Sequence, residues 1–289
     1  MQIRTDLALE AAANIPLPAE DVTVRTRTES GARLTYLHIR SESGARQLQK
    51  PRGQYLTMEV PPLSDSDEEL ETHARLLGGE LRGWLPENGT VLVVGLGNEA
   101  ITPDAIGPQT AKLVLATRHI GGEFARSTGL QDLRPTAVLA TGVLGKTGVE
   151  SVEIVRGVCG VVQPAAVIAV DALASQSVSR LGCTVQLCDS GIAPGSGVGN
   201  RRRPLSREQL GVPVIAMGVP TVVDARTLAL DLTGGEEACE RVEPRGAAMM
   251  VTPREIDLIV RRASRLIAMA IHSALQPNYS PLELMAVAE

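Results

Sequence analysis

The sequence predicts an α/β fold, a single-domain α/β/α sandwich with an N-terminal β-hairpin extension, and two observations support this prediction. Short, continuous apolar runs recur between residues 90 and 220, as is typical of strands that are buried on both faces of a mostly parallel sheet. These runs read TVLVVGLG, TAVLATGV, AAVIAVDAL, CTVQLCDSG and PVIAMGVP. Segments with helical spacing separate several of them, which indicates βαβ units and therefore an α/β layer fold.

The N-terminal part of the chain follows a different pattern. Residues 22–28 and 32–40 alternate apolar and polar side chains on either side of a Ser-Gly turn, which predicts a β-hairpin. Residues 53–60 predict a further strand, and residues 7–14 predict a short helix that ends before two prolines. We therefore expect an N-terminal β extension at residues 20–62.

In the rest of the chain, apolar side chains recur at helical spacing between the strands. The predicted helices cover residues 67–85, 107–118, 147–162, 172–181 and 253–275. Together with the apolar runs they form an α/β core that we place at residues 88–275. No internal repeat is visible, so the sequence predicts one domain over residues 1–289.

The composition argues against several functional classes. Lys and Arg total 28 residues against 33 Asp and Glu, and aromatic residues make up 2% of the chain. Neither a DNA-binding surface nor a stacking platform for single-stranded nucleic acid is therefore expected. No apolar run has the length of a membrane span and no secretory signal is visible, so we expect a cytoplasmic protein. The cysteines form no CxxC pair or metal-ligand cluster, so no metal and no other cofactor is predicted.

Acidic and glycine residues follow the predicted strands, at the edge where ligands gather in open α/β sheets. Asp104 follows the first apolar run, and Asp171 ends the third. Two carboxylates in a partly dry site cannot both ionise readily, so one pKa rises and the pair can activate a water molecule and protonate a leaving group. Further candidates, as support for the loops or for a substrate, are Gly95, Gly97, Asn98, Asp189, Gly195, Gly197 and Asn200.

The stretch VVGLGNEAITPDAIGP at residues 93–108 has two other interpretations. Gly95 and Gly97 match the start of a dinucleotide-binding loop, which would make the protein a nucleotide-binding oxidoreductase. Against this, the next strand ends without the acid that would bind a ribose. Alternatively, Asp104 caps the following helix and Asp171 accepts hydrogen bonds from loop amides, without any chemistry. No GxSxG motif and no histidine at a strand end supports a serine or cysteine nucleophile.

The glycine-rich loop at residues 189–206 carries the consecutive arginines 201–203. Such a loop can bind an acidic partner, or it can be a solvated surface loop. A non-catalytic binding protein that uses this loop is therefore a third hypothesis.

Seven motifs follow one another between residue 4 and about residue 275: RTDLALEA, VVGLGNEAITPDAIGP, TGVLGKTGVES, VIAVDALAS, DSGIAPGSGVGNRR, GVPVIAMGVPTVVDA and MMVTPREID. Together they resemble the germination protease family, the spore endopeptidases of Gram-positive spore formers. The resemblance implies a fold similar to that of hydrogenase maturation proteases, and an atypical aspartic-type endopeptidase without an intrinsic metal. It also implies a homotetramer, made as an inactive zymogen, whose substrates are small acid-soluble spore proteins that are degraded when the spore germinates.

By the same resemblance, Asp104 and Asp171 are the two aspartates proposed as catalytic in this family. One would be the general base toward the attacking water and the other an acid or electrostatic partner, in an order left open. Zymogen activation would cut between Asp6 and Leu7, so residues 1–6 are a candidate propeptide, and substrates would be cut at a similar acid–apolar junction. This prefix is shorter than is usual in the family, and so is the stretch at residues 228–248.

Overall fold

The fold is a single β-sheet covered by helices on both faces. The computed structural model describes residues 5–13, 18, 20–121, 126–127, 130, 132–195, 202–234, 242 and 249–288. The strands are β1 (Val22–Glu29), β2 (Ala32–Ile39), β3 (Gly53–Glu59), β4 (Val91–Leu96), β5 (Thr136–Gly142), β6 (Ala166–Ser175), β7 (Thr184–Cys188), β8 (Val214–Asp224) and β9 (Met250–Val251). The helices are α1 (Ala8–Ala12), α2 (Glu42–Leu48), α3 (Leu70–Trp84), α4 (Ile106–Leu113), α5 (Leu144–Thr147), α6 (Ser151–Val162), α7 (Arg207–Leu210), α8 (Ala225–Thr233), α9 (Ile256–Leu275) and α10 (Pro281–Ala288).

The sheet has a parallel half and an antiparallel half. Its strand order is β1-β2-β3-β7-β8-β6-β4-β5, with β9 added to β8. Strands β8, β6, β4 and β5 run parallel, whereas β1, β2, β3 and β7 are antiparallel to their neighbours. The predicted hairpin and third strand are confirmed, and β3 pairs with β7, so they continue the same sheet. The predicted α/β fold class is confirmed.

Helices α3 and α9 pack on one face of the sheet because both present an apolar stripe to it. Leu77 and Leu81 on α3 and Ile267 and Ile271 on α9 belong to one buried cluster. Gly78 allows the two helices to approach closely, since a Cβ there would collide with Ser273 and the backbone of α9. The opposite face carries α6, which buries Val152 and Val155 against a second cluster. In the described ranges, no helix is both long enough and apolar enough to cross a membrane.

The structure corrects one predicted helix. Residues 172–181 do not form a helix, because β6 continues to Ser175 and a 3₁₀ turn follows at Val178–Arg180. The strand continues because Ala172–Ser175 keep their pairing with β8, with a register shift between Leu173 and Ala174. Asp171 therefore lies inside β6 and not at its end.

Candidate active site

A cavity of about 460 Å³ opens beyond β4 and beside the second halves of β6 and β8. Asp104 and Asp171 both line it, together with Asp6. Its other lining residues are Gly97, Ile101, Pro103, Gly142, Val143, Ser151, Ala172, Leu173, Ala174, Ile192, Ala193, Pro194, Gly195, Arg202, Thr221, Val222, Met250 and Thr252. Most of these are apolar, so the cavity provides a low-dielectric setting for the carboxyl groups. We refer to it as the site cavity.

Asp104 lies in the loop that follows β4. Thr102–Asp104 form a 3₁₀ turn, and the hydroxyl of Thr221 on β8 donates a 2.7 Å hydrogen bond to the carbonyl oxygen of Pro103. The backbone N–H of Asn98 donates to Asp104 Oδ2 at 2.8 Å. Burial raises the pKa of Asp104, while the Asn98 hydrogen bond and the positive charge of Arg202 oppose that rise.

Gly95 and Gly97 permit the close approach of the chain's own backbone to β4. A Cβ on Gly95 would collide with the carbonyl of Gly107 in α4, and one on Gly97 would collide with the carbonyl oxygen of Asp104. Gly97 also has a φ of 108°, which strongly favours glycine. The loop therefore uses its glycines and the Asn98 N–H to hold Asp104. In a dinucleotide-binding loop, the glycines and the backbone N–H groups would contact a pyrophosphate. Here Gly97 and the Asn98 N–H contact Asp104 instead, which argues against nucleotide binding.

Asp171 is almost fully buried inside β6, at 4% exposure. The N–H of Ala172 donates a 2.9 Å hydrogen bond to its Oδ1. Burial raises the pKa of Asp171 well above its ordinary value, and the negative charges of Asp104 and Asp6 raise it further. The pKa of Asp171 is therefore raised more strongly than that of Asp104.

The chain's own residues 5–10, which we call the docked segment, contact β6 and β7, and Asp6 lines the site cavity. Asp6 pairs with β6: its N–H donates to the carbonyl oxygen of Ala174 at 2.8 Å, and the N–H of Ala174 donates to Asp6 Oδ2 at 2.9 Å. Leu7 and Ala8 follow and are fully buried. The predicted cleavage junction, Asp6–Leu7, is therefore held at the cavity that contains both aspartates.

Three further contacts hold the docked segment. The side-chain amide of Gln186 accepts a 2.7 Å hydrogen bond from the N–H of Ala8 and donates to the carbonyl oxygen of Asp6 at 3.1 Å. Lys50 Nζ donates to the carbonyl oxygen of Thr5 at 2.7 Å. The Glu10 carboxylate accepts hydrogen bonds from the backbone N–H groups of residues 176 and 177, at 2.7 and 3.0 Å.

Sequence reasoning missed Gln186 and Lys50. The signal for Gln186 was present: it is a polar residue in the middle of the short apolar run that became β7, and it is buried. Burial of an amide requires hydrogen-bond partners, and here the docked segment supplies them. Nothing in the local sequence distinguishes Lys50, because its role depends on a segment 45 positions earlier.

The remaining predicted residues divide between the site cavity and its surroundings. Gly195 lines the cavity. Asp189 is exposed and lies outside it, where its Oδ1 accepts a 2.7 Å hydrogen bond from the N–H of Gln54. Because β7 is antiparallel to β8, its carboxyl end points away from the carboxyl ends of the parallel strands. Gly197 and Asn200 lie outside the described residues. In the described part of the chain, no cluster of three or more His, Cys, Asp or Glu side chains could hold a metal ion.

Comparison with known proteins gives a consistent result. The sequence profile of a family described as germination protease matches residues 8–234. A germination protease of Caldanaerobacter subterraneus subsp. tengcongensis is 39% identical, over 98% of this chain and 97% of the relative, and one of Clostridium acetobutylicum is 36% identical, over 95% of each. Among solved structures, the [NiFe] hydrogenase maturation protease HycI from Thermococcus kodakarensis KOD1 aligns with a TM-score of 0.38 at 18% identity, covering 66% of this chain and 98% of that one.

Proposed function

The chain belongs to the germination protease family, and from this premise we propose that it is an endopeptidase in which Asp104 and Asp171 act together on a water molecule. One observation carries the proposal: the two carboxyl groups line the same cavity as Asp6, the residue that precedes the predicted cleavage junction. In this proposal, the cavity combines a carboxylate that accepts a proton with a carboxylic acid that donates one, beside the residue that precedes the bond to be cut.

The difference between the two pKa shifts supports one assignment of the roles. Asp104, whose pKa is raised less, is the general base that takes a proton from the attacking water. Asp171, whose pKa is raised well above its ordinary value, holds a proton and delivers it to the leaving nitrogen of Leu7 as the C–N bond breaks. The resulting rate profile is bell-shaped in pH: the rate rises as Asp104 ionises and falls as Asp171 loses its proton.

The docked segment supports self-processing between Asp6 and Leu7 in this proposal. Its backbone is hydrogen-bonded to the Ala174 carbonyl oxygen on β6 and to the Gln186 side chain on β7, which hold the Asp6–Leu7 bond in place. Because Asp6 lies in the cavity, it blocks the place of a substrate's acidic residue, so the uncut protein is a zymogen in this proposal. Cutting would release the prefix and open the cavity.

The substrates in this proposal are small acid-soluble spore proteins, and the place of action is the core of the germinating spore. The name of the family supports the link with germination, and the sequence motifs support the substrate class. The acid–apolar junction in the docked segment is the bond type that we expect to be cut in those substrates. Assembly into a homotetramer is part of the same proposal.

Mass spectrometry of the full chain, incubated with a small acid-soluble spore protein, tests the proposal. We expect the unaltered chain to lose residues 1–6 and then to cut the added protein after acidic residues. Asp104→Asn and Asp171→Asn keep the side-chain shape but remove the acid–base chemistry, and each is expected to slow both reactions by about 10²- to 10⁴-fold. Asp189→Asn is the matched control, since Asp189 lies outside the cavity.

Full cleavage by Asp104→Asn or Asp171→Asn would overturn the assignment of the pair. A stable complex with the spore protein, without any product from the unaltered chain, would instead favour the non-catalytic binding protein. Folding of each variant is checked by circular dichroism, so that a loss of cleavage is not confused with a loss of structure.

A further inference from the structure

We propose that Gln186 is a further catalytic residue, whose side-chain amide stabilises the negative charge that develops on the carbonyl oxygen of the bond being cut. The inference rests on the proposed function, because it takes Asp6–Leu7 as that bond. Its basis is a direct contact: Gln186 Nε2 donates a hydrogen bond to the carbonyl oxygen of Asp6 at 3.1 Å. This oxygen becomes the oxyanion when water adds to the Asp6 carbonyl carbon.

The chemistry of its partners fixes the orientation of the Gln186 amide. Its Oε1 faces the N–H of Ala8 at 2.7 Å, and an N–H can only donate. Its Nε2 faces the carbonyl oxygen of Asp6, which can only accept. Rotating the amide by 180° would place two donors together and two acceptors together. The amide NH₂ is therefore directed at the oxygen of the predicted scissile bond.

Gln186 and Asp171 lie at the same level of the sheet, and their side chains project from the same face. Gly218 on β8 pairs with Asp171 on β6 and with Gln186 on β7, so the two side chains belong to strands separated by one strand, with backbones about 10 Å apart. Successive side chains on a strand project from opposite faces of the sheet. Val170 and Leu187, the neighbours of Asp171 and Gln186, both belong to the cluster under α9, so Asp171 and Gln186 share the opposite face. Between them Gly218 carries no side chain, and a Cβ there would collide with the Asp171 carbonyl oxygen.

In the proposed reaction, Asp171 and Gln186 act on the same peptide group. Asp104 takes the proton from water, the water oxygen bonds to the Asp6 carbonyl carbon, and the electron pair moves onto the carbonyl oxygen, which Gln186 Nε2 holds. When the carbonyl re-forms, the Leu7 nitrogen leaves with the proton from Asp171. A fixed donor in a buried site is worth more than one in water, and losing one such donor costs about 10²- to 10³-fold in rate.

The test is the self-processing rate of Gln186→Glu relative to the unaltered chain, measured by intact mass between about pH 4 and about pH 8. A protonated Glu has one O–H donor and one carbonyl acceptor and can reproduce both contacts of Gln186, whereas an ionised Glu cannot donate. We expect the variant to be about 10²-fold slower or more at neutral pH and to approach the unaltered rate in acid. Gln163→Glu adds the same charge at an exposed position and is the control.

A Gln186→Glu rate that stays in constant ratio to the unaltered rate at every pH would contradict the proposal, since it would indicate a merely structural role. The variant Gln186→Leu extends the test because it lacks the donor at every pH and should show no recovery in acid. If the unaltered chain cuts nothing, the proposed function fails and the assignment of Gln186 fails with it. If the unaltered chain cuts and only the pH-dependent recovery is missing, the assignment of Gln186 alone fails.

Discussion

The two faces of β6 differ although one strand builds both. On one face, Ile168 and Val170 pack against α9 in the main apolar cluster. On the other face, Val167 and Ala169 are apolar too, but the next residue in the alternation is the buried Asp171. The two faces therefore differ at one level of the sheet, where Asp171, Gly218 and Gln186 are paired across three adjacent strands.

The face covered by α3 and α9 also buries a titratable group, His272, which differs from Asp171 in its surroundings. His272 on α9 accepts a 3.0 Å hydrogen bond from the N–H of Leu115, and its Nδ1 lies 3.3 Å from the carbonyl oxygen of Pro281. Burial lowers the pKa of His272 to about 4, so the ring is neutral at physiological pH and both nitrogens have partners. On the opposite face, the charges of two further carboxyl groups raise the pKa of Asp171. The face under α9 thus holds a neutral imidazole, whereas the opposite face holds carboxyl groups that lie close enough for two of them to shift the pKa of the third.

The largest expected change in the free energy of unfolding comes from a substitution on the face of β6 that packs against α9. Ile168→Ala removes a fully buried side chain from the main cluster and is expected to lower the free energy of unfolding by about 2–5 kcal/mol. Because Ile168 points away from the site cavity, the self-processing rate of the folded variant should stay within about twofold of the unaltered rate. Denaturant unfolding and intact mass measure the two quantities. A stability loss below about 1 kcal/mol would contradict the assigned packing.

A substitution at Asp171, on the other face of β6, should instead raise the free energy of unfolding at neutral pH. The pKa of Asp171 is raised by folding, so its contribution to stability is fully present below the ordinary value of about 3.9 and is lost as the pH rises through the raised value. Asp171→Asn does not ionise, and it should therefore be more stable than the unaltered chain at neutral pH, by about 1 kcal/mol or more. The advantage should vanish in acid. Unfolding curves at several pH values measure it, and a destabilised Asp171→Asn at neutral pH would show that the ionised carboxylate is well satisfied.

These contrasts show how much of the fold and of the candidate site could be predicted from the sequence. Hydrophobic periodicity predicted the parallel core, the N-terminal strands and helices such as α3 and α9, because each depends on local patterns. Strand-end reasoning selected Asp104 and Asp171, although β6 continues past Asp171 through pairing with β8 that no local pattern reveals.

The remaining site residues depend on contacts between distant parts of the chain. Asp189 follows an apolar run just as Asp171 does, yet the antiparallel direction of β7 places it outside the cavity. Gln186 gained its role from a segment 180 positions earlier. A polar residue inside an apolar run marks Gln186 as unusual, but its partner is fixed by the tertiary fold and could not be read from the sequence alone.

In the proposed function, Asp104 and Asp171 act as a coupled pair in one partly dry cavity, and a carbon-13 NMR titration of the Asp171 carboxyl group tests this coupling most directly. The signal is assigned by its loss in Asp171→Asn. In the unaltered chain, the Asp171 carboxyl should stay protonated well above the pH at which ordinary aspartates ionise, near about 3.9. In Asp104→Asn its pKa should decrease, because a neighbouring negative charge has been removed. An Asp171 that titrates with ordinary aspartates, and is unmoved by Asp104→Asn, would contradict the account.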